Sequence, residues 1–248
     1  MNWNEILIRC SSIGNIMTEP KEKAAKDAGE LSKTAKTHLK NVYIQEKYGR
    51  EKDIVTKQMQ KGIEVEEESI TLLSRFQKKM LVKNEERLNN DYITGLPDIY
   101  EGESIRNADS ITDIKSSYDL FTFMANVGEG LDNQYYYQLQ GYMALSGAKS
   151  AYIAYCLVDT PLHIINAEKY KLLRSLDVIS EESPEFIKQA TKIESNMLFS
   201  DIPKEERVLI FPVERNEEVI NKIYDKVIKA REYLKEFELL HLNFNNKS

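Results

Sequence analysis

The feature that most constrains the fold is a helix-to-strand transition near the middle of the sequence. Residues 133–146 have helical spacing and are followed by Gly147, a residue typical of helix ends. The run AYIAYCLV at residues 151–158 is β-branched and aromatic, which is typical of a buried central strand. Because this strand returns to the sheet after a helix, it requires a crossover connection and therefore a parallel pair of strands in a mixed sheet.

Segments with strand character precede this transition. They cover residues 79–85, 92–100 and 110–116, and turn-rich stretches separate them at residues 89–91 and 101–103. We expect these segments to form an antiparallel meander. Farther along the chain, residues 208–213 predict one more short strand.

Helices are predicted on both sides of these strands. Residues 22–60 indicate one or two helices, and a further helix begins at Gly62 with Glu66 in its first turn. Its buried stripe is expected to consist of Val65, Ile70, Leu72, Leu73 and Phe76. Near the end of the sequence, helices are predicted at residues 168–178, 184–196 and 217–240, followed by a frayed tail at residues 241–248.

The pattern predicts an α+β fold with a central mixed β-sheet flanked by helices. At 248 residues, we expect a single domain. Residues 1–61 form a helical N-terminal layer of this domain, residues 62–158 its core, and residues 159–248 its C-terminal helices and one strand. The sequence shows neither a signal peptide nor an apolar run long enough to span a membrane, so we expect a cytoplasmic protein without a membrane partner.

The charge distribution is uneven. The formal net charge is −6, but residues 1–61 hold 12 Lys and Arg against 8 Asp and Glu, so they carry +4 and the remaining residues carry −10. A solvated basic helix face and a phosphate-binding surface explain the N-terminal surplus equally well. The acidic remainder is compatible with bound cations, which reverse the local field.

Residue types exclude several kinds of chemistry. Cys10 and Cys156 lie far apart and predict buried or inert thiols, and the three histidines have no metal-ligand spacing. Neither a phosphate-binding loop nor a dinucleotide-binding glycine motif occurs. Carboxylate and lysine chemistry remains.

Acidic residues and a lysine coincide on two of the predicted strands. Asp98 follows Pro97, while Asp113 and Lys115 are two residues apart in the next strand and therefore share one face. If the two strands pair, Asp98 lies opposite Asp113, and two such carboxylates repel each other unless a cation separates them. Mg²⁺ suits this oxygen-rich site, and Glu66 is a candidate third carboxylate. Taken alone, the triplet Asp113-Ile114-Lys115 has a second interpretation, which is an ion pair on a surface strand that contributes little to stability.

The segment GLPDIYEGESIRNADSITDIKSS resembles the signature of the PD-(D/E)xK nuclease superfamily, with Asp98, Asp113 and Lys115 in its defining places. Around it, KGIEVEEE resembles the helix motif of the lambda-type exonuclease and YqaJ-type viral recombinase branch, which places Glu66. YYYQLQGYMAL resembles the glutamine helix of that branch, which places Gln138 with Gln140 beside it. The resemblance covers residues 62–158.

This resemblance implies a restriction-endonuclease-like core and hydrolysis of DNA phosphodiesters with Mg²⁺, for which Mn²⁺ substitutes. It assigns the backbone carbonyl of Ile114 to a metal, and Arg9 with Ser11 or Ser12 to a terminal phosphate. It further implies a 5′-to-3′ exonuclease of phage-type recombination that acts on double-stranded DNA ends. A homo-oligomeric ring and a single-strand annealing protein are the implied partners.

Two other functions stay open. One is a structure-specific or restriction-like endonuclease with the same core, and the other is an inactive relative that binds DNA or a protein. The tyrosine cluster also has two interpretations, of which core packing is favoured over stacking on unpaired bases. Its members are Tyr135, Tyr136, Tyr137 and Tyr142.

Overall fold

The computed structural model describes residues 1–52, 56–176 and 180–245. Its helices are α1 (Ile13–Ile16), α2 (Lys23–Asp27), α3 (Lys33–Tyr48), α4 (Lys57–Glu64), α5 (Glu66–Gln77), α6 (Leu120–Met124), α7 (Asn133–Ser146), α8 (Leu162–Ser175), α9 (Pro184–Met197) and α10 (Glu217–Asn245). Its strands are β1 (Ile8–Arg9), β2 (Leu88–Asn89), β3 (Ile93–Gly95), β4 (Ile99–Ser104), β5 (Asn107–Ser116), β6 (Ser150–Cys156) and β7 (Val208–Glu214). Short 3₁₀ helices occur at Trp3–Glu5, Cys10–Ser12 and Lys204–Glu206.

A four-stranded mixed sheet with the order β4-β5-β6-β7 forms the centre of the fold. The β4–β5 and β6–β7 pairs are antiparallel, whereas β5 and β6 are parallel and are joined through α7. The predicted crossover and the mixed sheet are therefore confirmed. A second, three-stranded sheet has the order β1-β3-β2, with β1 parallel to β3.

Local signals define the crossover helix α7. The Asp132 side chain accepts a hydrogen bond from the Gln134 backbone N–H at its start, and Gly147 ends it in the left-handed conformation with φ of 80°. The next strand, β6, is almost entirely buried. These caps explain why the predicted bounds of this helix match the observed ones.

Helices cover both faces of the four-stranded sheet. Ile111 of β5 joins a large core that includes residues of α1, α3, α7 and α10. Ile114 points to the opposite face and joins the core under α5. Four of the five predicted stripe residues of α5 are buried, but Phe76 is 40% exposed because it lies in the last turn, where Lys78 redirects the chain.

The predicted meander is wrong in part. Residues 79–85 form no strand and contribute only a bridge from Lys83 to Ile99, and residues 92–100 are divided between β3 and β4. Pro97 has no backbone N–H and therefore interrupts the hydrogen bonding between strands. As a result, Asp98 lies just before β4 and not inside a strand. The turn predicted at residues 101–103 lies within β4, where Gly102 adopts φ of 129° at a register shift.

Several helix bounds also differ from the prediction. Gly62 lies inside α4, and the break between α4 and α5 falls at Val65. Helix α8 begins at Leu162, six residues earlier than expected, and α10 continues to Asn245 because His241 packs against Tyr43 of α3. Residues 22–60 hold α2, α3 and the start of α4. Residues 53–55, 177–178 and 246–248 of the predicted segments lie outside the described residues.

No helix in the described part of the chain combines the length and apolar character needed to cross a membrane. Cys10 and Cys156 are both buried and unpaired with each other, as predicted. Burial raises the pKa of both thiols, that of Cys156 to about 12, so neither is a thiolate near neutral pH.

Candidate active site

The predicted acidic residues line a cavity of about 1100 Å³. Helix α4, the start of α5, the end of β5, the segment after it and α7 form its walls. Asp98, Asp113, Ile114, Lys115 and Gln138 lie together in this wall. The structure therefore brings together the residues that the strand motif and the glutamine helix predicted.

Asp98 is fixed at the edge of β5 by backbone contacts. Its Oδ2 atom accepts a hydrogen bond of 2.6 Å from the Ile114 N–H, and its backbone carbonyl accepts one of 2.7 Å from Asn84. The buried Asn84 side chain also donates to the Pro97 carbonyl at 2.9 Å. The β4–β5 register, which pairs Ile99 with Thr112, continues outward to place Asp98 opposite Asp113.

Asn84 was not recognised from the sequence. It lies in a stretch predicted as a strand, and its function depends on a backbone segment 13 residues away. No local pattern marks it.

Asp113 has a different partner on each carboxylate oxygen. Its side chain is only 2% exposed, Oδ1 accepts a hydrogen bond of 2.9 Å from Gln138, and Oδ2 lies 2.6 Å from Lys115 Nζ. Apart from this ion pair, Oδ2 accepts no hydrogen bond from the described residues. On its other side, Lys115 Nζ lies 4.8 Å from the centroid of the Tyr135 ring, within range of a cation–π contact.

Negative charge is in excess at this site. Burial, and then the charge of Asp113, raise the pKa of Asp98 to about 8, against the opposing effect of the Ile114 N–H. Burial alone lowers the pKa of Lys115, but the charge of Asp113 and the contact with it outweigh burial, so the pKa is raised. One lysine thus faces two buried carboxylates, an arrangement that a cation would stabilise.

The donor set fits a hard divalent cation. Asp98 and Asp113 offer carboxylate oxygens, and Oδ2 of Asp113 is buried with an incomplete set of partners. The N–H and C=O of one strand residue point to the same edge, so the Ile114 carbonyl faces the Asp98 side. Within the described residues, no three acidic, histidine or cysteine side chains converge on one point. Two carboxylates and one carbonyl would suit Mg²⁺, which is typically bound by one or two carboxylates and completed by water and phosphate.

Glu66 reaches the same cavity from the other face of the sheet. It is the first residue of α5, where the helix dipole favours a carboxylate, and it forms an ion pair of 2.8 Å with Lys83. Its charge contributes to the raised pKa of Asp98, which places it within electrostatic reach of that carboxylate. Sequence analysis did not recognise Lys83, since its pairing with Glu66 arises only in the fold. A direct role of Glu66 in metal binding stays a prediction.

The two glutamines of α7 have separate roles. Gln138 joins Asp113 to the Tyr142 hydroxyl at 2.9 Å on each side. Gln140 faces away from the cavity and binds the Glu214 carbonyl and the Asn216 N–H, which connects α7 to the start of α10. Only Gln138 therefore belongs to the site.

The tyrosine cluster mainly packs. Tyr142 is buried, and Tyr136 and Tyr137 are half-buried against the main core. Tyr135 and Tyr142 also line the cavity, and the ring of Tyr135 faces the Lys115 ammonium. Packing alone describes Tyr136 and Tyr137, while Tyr135 and the buried Tyr142 also belong to the wall of the site.

The residues expected at a terminal phosphate are only partly assembled. Ser11 lines the cavity, Ser12 donates to the backbone carbonyl of Arg9, and the exposed Arg9 guanidinium pairs with Glu51 at 3.3 Å. No described contact joins Arg9 to the acidic residues of the cavity. Their role in phosphate binding stays a prediction.

A mixed sheet that carries Asp98 before one strand, Asp113 and Lys115 on its neighbour, and Gln138 on the crossover helix has the architecture of a PD-(D/E)xK nuclease. No protein-family model matches the chain, and no curated protein matches it. Among solved structures, a phage-related exonuclease from Haemophilus somnus 129PT is 29% identical, with a TM-score of 0.73, over 96% of this chain and 97% of that one. The predicted resemblance to the lambda-type exonuclease branch is confirmed.

An alkaline exonuclease from Laribacter hongkongensis, LHK-Exo, has the same fold at lower identity. It is 14% identical, with a TM-score of 0.61, over 99% of this chain and 98% of that chain. A second structure of LHK-Exo, in complex with dAMP, is 15% identical with a TM-score of 0.60 over 98% and 95% of the two chains. The phage-related exonuclease thus supports a nuclease, and the LHK-Exo structures show the shared fold.

Proposed function

We propose that this chain is a Mg²⁺-dependent exonuclease that hydrolyses the phosphodiester bonds of linear duplex DNA in the 5′-to-3′ direction. The observation that carries the proposal is the buried pair Asp98 and Asp113 with Lys115 at the wall of an open cavity. The similarity of the whole chain to a phage-related exonuclease supports the same function. The biological setting that we propose is phage-type recombination in the cytoplasm of the host.

Each site residue has a distinct proposed task. Asp98, Asp113 and the Ile114 carbonyl are the proposed ligands of Mg²⁺, which would activate water and neutralise charge on the attacked phosphate when bound. Lys115 orients the attacking water and stabilises the negative charge that builds on the phosphate oxygens. Gln138 holds Asp113 in place, and Glu66 anchors water or contributes to a second metal position.

In the reaction, the oxygen of water forms a bond to phosphorus, and the bond from phosphorus to the leaving nucleotide oxygen breaks. A proton of the water is released and the leaving oxygen takes up a proton. The ammonium of Lys115 is placed for this task because Asp113 on one side and the Tyr135 ring on the other limit its movement. Mn²⁺, which also prefers oxygen ligands, should substitute for Mg²⁺.

The proposal also includes the substrate and the protein partners of the enzyme. The substrate is the end of a DNA duplex, and the resemblance implies a single-strand annealing protein as a functional partner and a homo-oligomeric ring as the working form. Binding of dAMP by the related LHK-Exo agrees with a nucleotide-binding cavity in this fold. Sedimentation of the purified protein with and without duplex DNA measures the oligomeric state.

The test uses one duplex in linear and in covalently closed circular form, with the linear form labelled at either the 5′ or the 3′ end. With Mg²⁺, the linear form should be degraded with early release of the 5′ label, and the circle should stay intact. EDTA should stop the reaction and Mn²⁺ should restore it.

Two outcomes would contradict the proposal. Nicking or linearisation of the circle would identify an endonuclease of the same superfamily. Binding of DNA without cleavage in either metal would identify an inactive relative.

A further inference from the structure

Lys61 is a buried lysine that the proposed reaction does not use. It lies on α4, and it is the one residue of that helix whose side chain is completely removed from solvent. A buried ammonium is energetically costly unless its donors are satisfied. Its contacts therefore have to account for its place in the interior.

Backbone carbonyls and an aromatic ring surround the Lys61 ammonium. Nζ donates hydrogen bonds of 2.9 Å to the carbonyls of both Ser117 and Tyr118, and it lies 5.0 Å from the centroid of the Phe199 ring. None of the described carboxylates lies within ion-pair distance of it. Burial lowers the pKa of Lys61 to about 8, against the distant charges of Asp119 and Asp159.

The two carbonyls mark the point where β5 leaves the sheet. The Ser117 N–H makes a ladder-type bond of 2.9 Å to Cys156, and beyond it the chain turns away toward α6. The Ser117 and Tyr118 carbonyls follow Lys115 by two and three residues. Lys61 therefore determines the path of the chain directly after the catalytic strand.

Lys61 also precedes Glu66 by five residues, across the break at Val65. A second contact comes from the next helix, since Ser69 of α5 and Ser116 of β5 share a hydrogen bond of 2.8 Å between their hydroxyls. Helices α4 and α5, which meet at the break just before Glu66, are thus linked at two places to β5 and the segment that follows it. Of the two links, only that of Lys61 reaches the chain beyond the strand.

From these contacts we infer that Lys61 is a positioning residue, which holds the helix bearing Glu66 in register with the end of the strand bearing Asp113 and Lys115. The inference rests on the proposed nuclease function. An apolar side chain of similar length fills the same space but leaves the buried Ser117 carbonyl and the partly buried Tyr118 carbonyl without this donor, so the exit of β5 shifts. Small displacements of reacting groups lower the rate constant of the chemical step more than they weaken substrate binding.

The test compares Lys61→Met with Lys57→Met, a matched control one turn earlier on α4. Lys57 is partly exposed and pairs with Glu168 on the surface, outside the cavity. Lys61→Met should lower kcat by about 10- to 100-fold with KM for the duplex changed less than about threefold. Lys57→Met should stay within about twofold of the wild type in both constants.

A second readout does not depend on turnover. The rise in melting temperature on addition of Ca²⁺ without DNA reports whether the carboxylates are correctly placed. This rise should be clearly smaller for Lys61→Met than for the wild type, and unchanged for Lys57→Met. If the wild type responds to Ca²⁺ but does not cleave DNA, the proposed function fails while the positioning role of Lys61 is still tested.

Three results would overturn the inference. They are a folded Lys61→Met protein with wild-type kcat and Ca²⁺ response, an increase in KM alone, and a loss of activity that matches the loss of folded protein. Should Lys61→Met not fold, Lys61→Arg replaces it, because the guanidinium keeps the charge and the donors but is too large for the enclosed site. A folded Lys61→Arg protein with wild-type kcat and Ca²⁺ response would equally refute the positioning role.

Discussion

Asp98 and Asp113 are two carboxylates held together in a buried site, and removing either one should affect cleavage and stability differently. Asp98→Ala or Asp113→Ala should abolish Mg²⁺-dependent cleavage, because each removes a proposed metal ligand. The folded structure should persist. Without metal, the melting temperature of Asp98→Ala should be equal to or higher than that of the wild type, since the repulsion is relieved, whereas that of Asp113→Ala should be lower, because Lys115 loses its buried partner. Cleavage assays with thermal melts in EDTA measure both effects. Retained cleavage by Asp113→Ala would refute the site assignment.

Lys115 should act on the rate and only weakly on binding. Lys115→Ala is expected to lower kcat by about 10²- to 10³-fold while leaving the affinity for duplex DNA largely unchanged, because its charge acts where charge develops in the reaction. Lys115→Arg should not restore the rate, since the guanidinium is bulkier and directs its donors differently.

Single-turnover kinetics and binding by anisotropy separate the two effects of these Lys115 variants. Lys149→Ala, an exposed lysine just before β6, is the matched control. Normal turnover with weak binding in Lys115→Ala would make Lys115 a phosphate contact instead.

Lys61 should make the stability depend on pH. The ordinary pKa of lysine in the unfolded chain is 10.5, and burial lowers it to about 8 in the folded protein. Between these values the unfolded chain binds more protons than the folded protein, so raising the pH favours folding. The free energy of unfolding of the wild type should therefore increase relative to Lys61→Met between about pH 8 and about pH 10. Urea denaturation at both pH values tests this, and equal changes in the two proteins would contradict it.

Some residues of the site could be predicted from the sequence and others could not. Asp113 and Lys115 were predictable because residues two apart in one strand share a face, and Asp98 because it directly precedes the strand that pairs with theirs. Asn84, Lys83 and Lys61 were not, since each acts through a partner brought near only by the fold.

Two glycines on helices of the fold predict opposite effects of the same substitution. A methyl group at Gly14 of α1 would lie 2.8 Å from the Cα atom of Gln134 in α7, whereas one at Gly62 of α4 meets no atom within 4 Å. Gly14→Ala should destabilise the protein by about 1–3 kcal/mol, because the backbones of the two helices must separate. Gly62→Ala should stabilise it by about 0.5–1 kcal/mol through helix propensity.

Urea denaturation of the two glycine variants measures both changes in the free energy of unfolding. Stabilisation by Gly14→Ala would show that α1 and α7 pack less closely than described.

Elements whose ends carry local signals were predictable, and the others were not. Helix α7 has an Asp N-cap and a Gly C-cap, and its predicted ends are those observed. Strands β1 and β2 have two residues each and exist only because β3 lies between them. No periodicity is measurable in two residues, so the second sheet was not predicted.

The charge of the whole cavity predicts that DNA binding depends on divalent cations. Its wall contains five acidic residues and one lysine, namely Glu66, Asp98, Asp113, Glu129, Asp132 and Lys115. Such a surface repels phosphate until cations reverse the field. Affinity for duplex ends should therefore be at least about tenfold lower in EDTA than in Ca²⁺. Anisotropy of labelled duplex measures this, and equal affinities in both buffers would exclude a cation-bridged mode.

The fold class of the whole molecule could be predicted from one connection. A strand that returns to the sheet after a helix must pair in parallel, as β6 does with β5. How the outer layers meet did not follow from the sequence. Arg231 of α10 donates to the Ile6 carbonyl, and Trp3 donates to Glu238, which are contacts between segments more than 200 residues apart. Residues at such separations leave no common pattern in the sequence.

The position of Trp3 has an optical consequence. It is the only tryptophan of the sequence, its ring is buried and stacked on Tyr43 of α3 with centroids 5.2 Å apart, and its N–H binds α10. Ultraviolet excitation of the protein therefore reports on a single indole. Its emission should shift to longer wavelength when α10 separates from the first residues of the chain, even while the cavity around Asp113 is intact.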